Sequence, residues 1–308
     1  MPRTAQGSLR SLIAGTDPTR PPVMLWKHFY LDEPRKLADA TVAFYREHHL
    51  AAAKIMPDIP LLFADGALAS WTQVAQLRRI TALGRADEYV ATVRHTREQL
   101  EPEDVLLVTV FSPLALLGMW CGPDVFTELV GAPAAGVHAV LSELAEGTAR
   151  LLGECTAAGA DGVYYSCWGQ DVLGVDSYRE FGIPYDLAGL QGAGPLEMRL
   201  VHVHGGKGTD LSTYAGYPVN AVGWSELETG IALVDGARTL PGKIPMGGIT
   251  ERPPAAAPDA QSTTLAHLND IAHTLGSRFI AAPGCSLPDD LDEAGLAALR
   301  DAASSCAQ

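Results

Sequence analysis

Positive charge is scarce in this sequence. Lys and Arg number 22 against 36 Asp and Glu, a formal net charge of −14 over 308 residues. Nucleic acid and anionic membrane surfaces both need a basic face, and none is visible, so neither is expected as a partner. Long apolar runs are missing too. No stretch approaches the roughly 18–20 residues that span a bilayer. The opening MPRTAQGSLRSLIAG lacks the sustained apolar segment of a signal peptide. Cysteine is sparse: Cys121, Cys155, Cys167, Cys285 and Cys306 are odd in number and form no CxxC pair. That argues against a disulfide framework and for free thiols or metal ligation in a reducing compartment, so a cytoplasmic location is expected.

What is present is a globular composition, 47% hydrophobic and 19% charged, with 31 Gly and 21 Pro to punctuate many short loops. Eight apolar runs each end at a turn or polar cluster: residues 21–29, 51–58, 105–112, 161–168, 197–204, 220–225, 243–249 and 278–285. Their length and composition suit strands buried on both faces. Helical spacing fills the intervals at 34–49, 87–100, 134–158, 259–275 and 291–303, the first opened by Asp32, Glu33 and Pro34. Repeated strand–helix alternation predicts a parallel sheet, and eight strands predict closure into a (β/α)8 TIM barrel forming one domain over 1–308. An open doubly wound sheet is the alternative. Two connections are long: 61–85, expected as a loop with a short helix, and 169–196, expected as a lid or extended loop. PPAAAP at 253–258 reads as a stiff connection after the seventh strand.

The segment EMRLVHVHGG carries the chemistry. Side chains alternate along a strand, so His202 and His204 share the inward face while Val201 and Val203 face the helices. A His-x-His pair at a strand end can present two nitrogen ligands to one metal; two pocket-lining or hydrogen-bonded histidines is the plainer reading. Cys285 ends the eighth run at a matching level. A thiolate beside two imidazoles makes a His2Cys zinc site with one open position, which can hold a substrate thiol as thiolate. As an isolated residue, Cys285 could equally be a small buried apolar side chain.

PPVMLWKHFY, KIMPD, GADGVYYSCWGQD, VHVHGG, PMGGI and RFIAAPGCSLPDD, in this order and spacing, resemble the uroporphyrinogen decarboxylase superfamily across almost the whole chain. That superfamily contains the decarboxylase and the zinc-dependent methylcobamide:thiol methyltransferases. The resemblance implies a uroporphyrinogen decarboxylase-like barrel, and for the methyltransferase branch a His-x-Cys at the fifth strand and a Cys at the eighth. His202 and Cys285 match the first and last of these, and His204 replaces the middle cysteine with another zinc-competent ligand. A methylcorrinoid delivered by a carrier protein is the implied methyl donor, and a homodimer is allowed. The decarboxylase branch implies arginines after the first strand, where this sequence has Lys27-His28-Phe29-Tyr30, and an acidic residue after the second, which Asp58 matches. Lys does not replace a bidentate arginine clamp.

Other candidates lie near the expected mouth. Asp58 is an acid–base or orienting group, or a loop cap. Tyr164 and Ser166 share one face of their strand and Cys167 takes the other. His28, Tyr164, Trp168, Gln170 and Trp224 are candidate substrate contacts, with core packing the plainer role for both tryptophans. Lys207 is an anion-binding candidate or a solvated side chain. His48 and His49 are placed on an exposed helix and set aside. The expected activity is zinc-dependent methyl or alkyl transfer to a small-molecule thiol, with Asp58 and His204 as catalytic groups and His202, His204 and Cys285 as ligands. The alternatives are a metal-free decarboxylase or lyase acting on a small carboxylated substrate, and a non-catalytic metal- or ligand-binding barrel.

Overall fold

The computed structural model describes residues 4–61, 83–131 and 134–306. In chain order the elements are α1 (Thr4–Ile13), α2 (Pro34–Glu47), β1 (Ala53–Ile55), α3 (Ala86–Gln99), β2 (Leu106–Phe111), α4 (Pro113–Glu128), α5 (Ala134–Ala157), β3 (Gly162–Trp168), α6 (Gln170–Leu173), α7 (Val175–Phe181) and α8 (Ile183–Leu190). Then follow β4 (Met198–His204), β5 (Ala221–Trp224), α9 (Glu226–Thr229), α10 (Leu233–Thr239), β6 (Ile244–Ile249), α11 (Ala257–Leu275), β7 (Ile280–Pro283) and α12 (Glu293–Ser305). All seven strands are parallel and lie in sequence order, β1 beside β2 through to β7.

The first of the eight expected strands is not one. Residues 22–24 instead bridge the gap between the two edges. Val23 forms a single parallel bridge with Ala281, Met24 N donates to Ala281 O at 2.9 Å, and Ala281 N donates to Pro22 O at 2.9 Å. On the other side Ala51 N donates to Val23 O at 2.8 Å. Pro21 and Pro22 carry no backbone N–H, so this segment cannot supply a full ladder. The ring is closed by three hydrogen bonds where a strand was expected.

Strand alternation sorts the core into two bodies. Val108, Val110, Val163, Tyr165, Val201 and Val203 face outward and pack under the helices. Leu107, Tyr164, Met198, Leu200, Met246 and Ile280 face inward. Leu9 and Leu12 of α1, both buried, join this inner cluster, and Arg10 beside them pairs with Asp161 at 3.3 Å and with Glu197, just before β3 and β4. The N-terminal helix therefore plugs the barrel floor. Along β4 the inward series runs Met198, Leu200, His202, His204: apolar at the floor, polar at the mouth.

One long connection departs from expectation. Residues 169–196 form no open lid. They fold into α6, α7 and α8, with Tyr178, Phe181 and Leu190 buried in the outer core. The expected loop and short helix at 61–85 fall, for residues 62–82, outside the described residues. PPAAAP follows β6 and leads into α11, displaced by one strand in the count because the first run is only a bridge.

Candidate metal centre

Donor atoms of His202, His204 and Cys285 all lie within 4.8 Å of one another at the strand ends. Cys285 Sγ and His204 Nδ1 are 3.9 Å apart, and the two imidazole centroids 5.8 Å. The sheet register explains the meeting. Ser166 pairs with His202 and Trp168 with His204, so the inward faces of β3 and β4 present Tyr164, Ser166, Trp168 and both histidines to one cavity. Cys167 takes the outer face, as alternation requires.

His202 is buried, and its Nδ1 has no partner among the described residues. Its pKa is lowered to about 3, first by burial and then by His204 and Lys54. The ring is held neutral, which is the form that binds a metal. Tyr164 stacks against it at 5.4 Å and 22°. Burial pushes the Cys285 thiol up, with Glu251 and Glu228 acting in the same direction and the Ser286 backbone and Lys54 opposing. A cation among these three groups would reverse that, because a coordinating thiol gives up its proton. A neutral imidazole with a free Nδ1 among the described residues, a second imidazole and a thiol are a donor set that suits zinc.

The triad sits where two cavities meet. One, of about 370 Å³, is lined by Trp26, Lys54, Met56, Phe111 and Tyr164 beside the triad. The other, of about 470 Å³, is lined by Asp171, Glu228, Glu251 and Arg252. Trp168, His202, His204, Cys285 and Ser286 belong to both walls. Trp168 is fixed by stacking on Phe126 at 4.9 Å and 14° and by lying against Gly118, where a Cβ would stand 2.1 Å from its ring.

The remaining expected residues divide. His28 lines the first cavity, and its Nδ1 is 2.6 Å from Asp58 Oδ1. Asp58 itself is buried and engaged: its Oδ2 also accepts from Phe29 N at 2.8 Å and Tyr30 N at 3.0 Å. It holds the 28–30 turn, in which Tyr30 takes a left-handed φ of 54°, and reaches the cavity through His28. Gln170 and Trp224 do not line the first cavity. Gly169 adopts φ 114° and ends the alternation of β3, so Gln170 turns away to hold Asp210 N at 2.6 Å and Thr213 Oγ1 at 2.7 Å. Trp224 shares the outward side of β5 with Val222 and donates Nε1–H to Ile231 O at 2.9 Å. Lys207 is exposed. His48, expected on an exposed face, is buried against Phe44 with ring centroids 4.5 Å apart.

Lys54 went unremarked in the sequence. It lies on β1 with its side chain inside the barrel, Nζ 4.2 Å from the Tyr164 centroid and 5.0 Å from that of Trp26. The signal was available: one basic residue in AAAKIMPD, in phase with Met56 and out of phase with Ala53 and Ile55.

The uroporphyrinogen decarboxylase family model matches residues 62–306. The chain belongs to that family. Among solved structures it resembles a methyltransferase from Methanosarcina mazei, with TM-score 0.81, 14% identity and 98% of each chain covered. It also resembles a B12-independent methionine synthase from Shewanella sp. W3-18-1, with TM-score 0.59, 11% identity and 93% of this chain and 96% of the other covered. No curated protein matches at the level of sequence. At such identities these two structures share the fold with this family member; the shared fold does not carry an activity over. No helix among the described residues is long and apolar enough to cross a membrane.

Proposed function

We propose that this chain transfers a methyl or alkyl group to the thiol of a small molecule at His202, His204 and Cys285. The observation that carries the reading is the convergence of those three donors on one point of the barrel mouth, with a buried imidazole kept neutral and its Nδ1 without a partner among the described residues. Bound there, zinc supplies a Lewis acid that holds a thiol as its nucleophilic thiolate at neutral pH.

The protein's own groups do the rest. Tyr164 fixes the plane of His202 by stacking, and the barrel wall keeps water from that ring. His204 is solvent-exposed on the mouth side and faces arriving molecules. The cavity of about 370 Å³ suits a small acceptor. A methylcorrinoid brought by a carrier protein would be too large for that cavity and would supply the methyl group from its mouth, where Trp168 and Ser286 line the wall. Asp58 acts by orienting His28 at the rim.

Metal analysis tests this. Wild-type protein reconstituted with zinc and dialysed is expected to keep about one equivalent, and His204→Ala and Cys285→Ser to lose most of it together with thiol methylation. Thiol methylation retained by both variants without metal would overturn the metal-centred mechanism, whereas decarboxylation of a small acid by metal-free protein would favour the metal-free lyase. That rival has little in the cavity to hold several carboxylates, since no arginine is among its described lining residues. A non-catalytic barrel predicts tight binding with no turnover across thiols and methyl donors.

A further inference from the structure

Lys54 is 7% exposed, and no carboxylate pairs with it among the described residues. Among the described residues its Nζ lies 3.1 Å from Met56 Sδ and stands over the rings of Tyr164 and Trp26. A lysine kept for scaffolding is normally paired or reaches water, because a buried unpaired charge opposes folding. Two aromatic faces stabilise a cation but leave ammonium N–H donors without an oxygen acceptor. Those donors sit on the wall of the apolar cavity, and Tyr164 touches both Lys54 and His202. One molecule a few bonds long can therefore meet Lys54 with one end and the triad with the other. The second cavity sets Asp171, Glu228 and Glu251 against Arg252, which pairs with Glu228 at 2.6 Å; its net negative wall disfavours an anion and leaves the Lys54 side as the place for one.

We infer that Lys54 selects the acceptor, its ammonium binding the acid group of a small anionic molecule whose sulfur lies at His202, His204 and Cys285. The sulfur end rests on the thiol-transfer reading; the acid end stands on Lys54 alone. An oxyanion at Lys54 completes the hydrogen bonding of the ammonium and offsets the cost of its burial. That cost is visible in the free protein, where burial lowers the Lys54 pKa to about 7 against the opposing pull of Cys285 and Asp58. The aromatic walls exclude the water that would compete for both partners. The arrangement also orders the site: acceptor in the apolar cavity, donor from the acidic one, with the triad between them.

The test compares 3-mercaptopropionate with 3-mercapto-1-propanol, equal in length and differing in the acid group, by isothermal titration of zinc-loaded protein. Wild type is expected to bind the acid about ten- to a hundredfold more tightly, as a charge-assisted hydrogen bond in a dry pocket allows. Lys54→Met and Lys54→Gln are expected to lose that preference while keeping the metal content and the affinity for the alcohol, and Lys54→Arg to retain part of it. Lys54→Met is also expected to melt at or above wild type, which a scaffolding lysine would not do. A preference that survives both neutral variants overturns the assignment. Metal-free protein titrated with butanoate and 1-butanol reads the acid end by itself. A preference for butanoate abolished by Lys54→Met upholds Lys54 even where no thiol engages the metal. Absence of that preference, with the thiol pair also undistinguished, contradicts it.

Discussion

Among the side chains that burial moves toward their uncharged forms are His202, down to about 3, Lys54, down to about 7, and Asp186, up to about 6. The first two line the mouth cavity, where a neutral imidazole and a readily recharged amine serve binding. Asp186 lies elsewhere, fully buried in the outer core, its Oδ2 accepting from Tyr178 Oη at 2.6 Å and Tyr217 Oη at 2.8 Å. Burial outweighs those hydrogen bonds, which pull the other way. Because the folded value lies above the ordinary 3.8, the native state binds the proton more tightly than the unfolded chain does. Asp186 therefore contributes stability that is fully present below pH 4 and lost as pH rises through 6. The shift corresponds to about 3 kcal/mol, as an order of magnitude. Urea unfolding of wild type and Asp186→Asn from pH 4 to 7 is expected to show the variant gaining on wild type by that order. A difference between the two that stays constant over the range would contradict it.

At the scale of elements, strand phase and chain punctuation decide which side chains reach the site. Gly118 of α4 leaves room for the Trp168 ring, and a Cβ would stand 2.1 Å from that ring. Gly118→Ala is expected to displace Trp168 and to weaken acceptor binding roughly tenfold at unchanged metal content, read by titration. Unchanged binding would show that Trp168 does not shape the cavity. The same phase argument explains what was legible in advance. His202 with His204, and Tyr164 with Ser166, follow from period-two alternation once VHVH and VYYSCW are strands. The placement of Cys285 beside them came from the family resemblance and is matched by the geometry. Gln170 was misplaced because Gly169 breaks the phase just before it, and Trp224 because the short run NAVGWS does not reveal which phase faces inward. Lys54 was overlooked although its phase was readable. The depth of His48 was hidden because it depends on packing beyond its own helix: α12 brings Glu293 to 3.7 Å from its Nε2.

At the scale of the molecule, the barrel separates stability from chemistry. α1 and the apolar inner layer seal the floor, the outer valines and helices bury the sheet, and polar side chains gather at the C-terminal ends of the strands. The parallel architecture was readable from eight apolar runs alternating with helices. The weak point of the ring was not, because three backbone hydrogen bonds around residues 22–24 stand in for a strand and hydropathy alone does not distinguish the two. The proposed reaction depends on His202, His204 and Cys285 acting together on a metal that accepts a substrate thiol. X-ray absorption at the zinc edge, recorded on reconstituted protein before and after adding 3-mercaptopropionate, tests this most directly. Zinc held by these three residues should show nitrogen at about 2.0–2.1 Å and one sulfur at about 2.3 Å, and a second sulfur once the thiol is present. Zinc that is not retained, or a spectrum with no sulfur ligand or none gained on adding thiol, would contradict it.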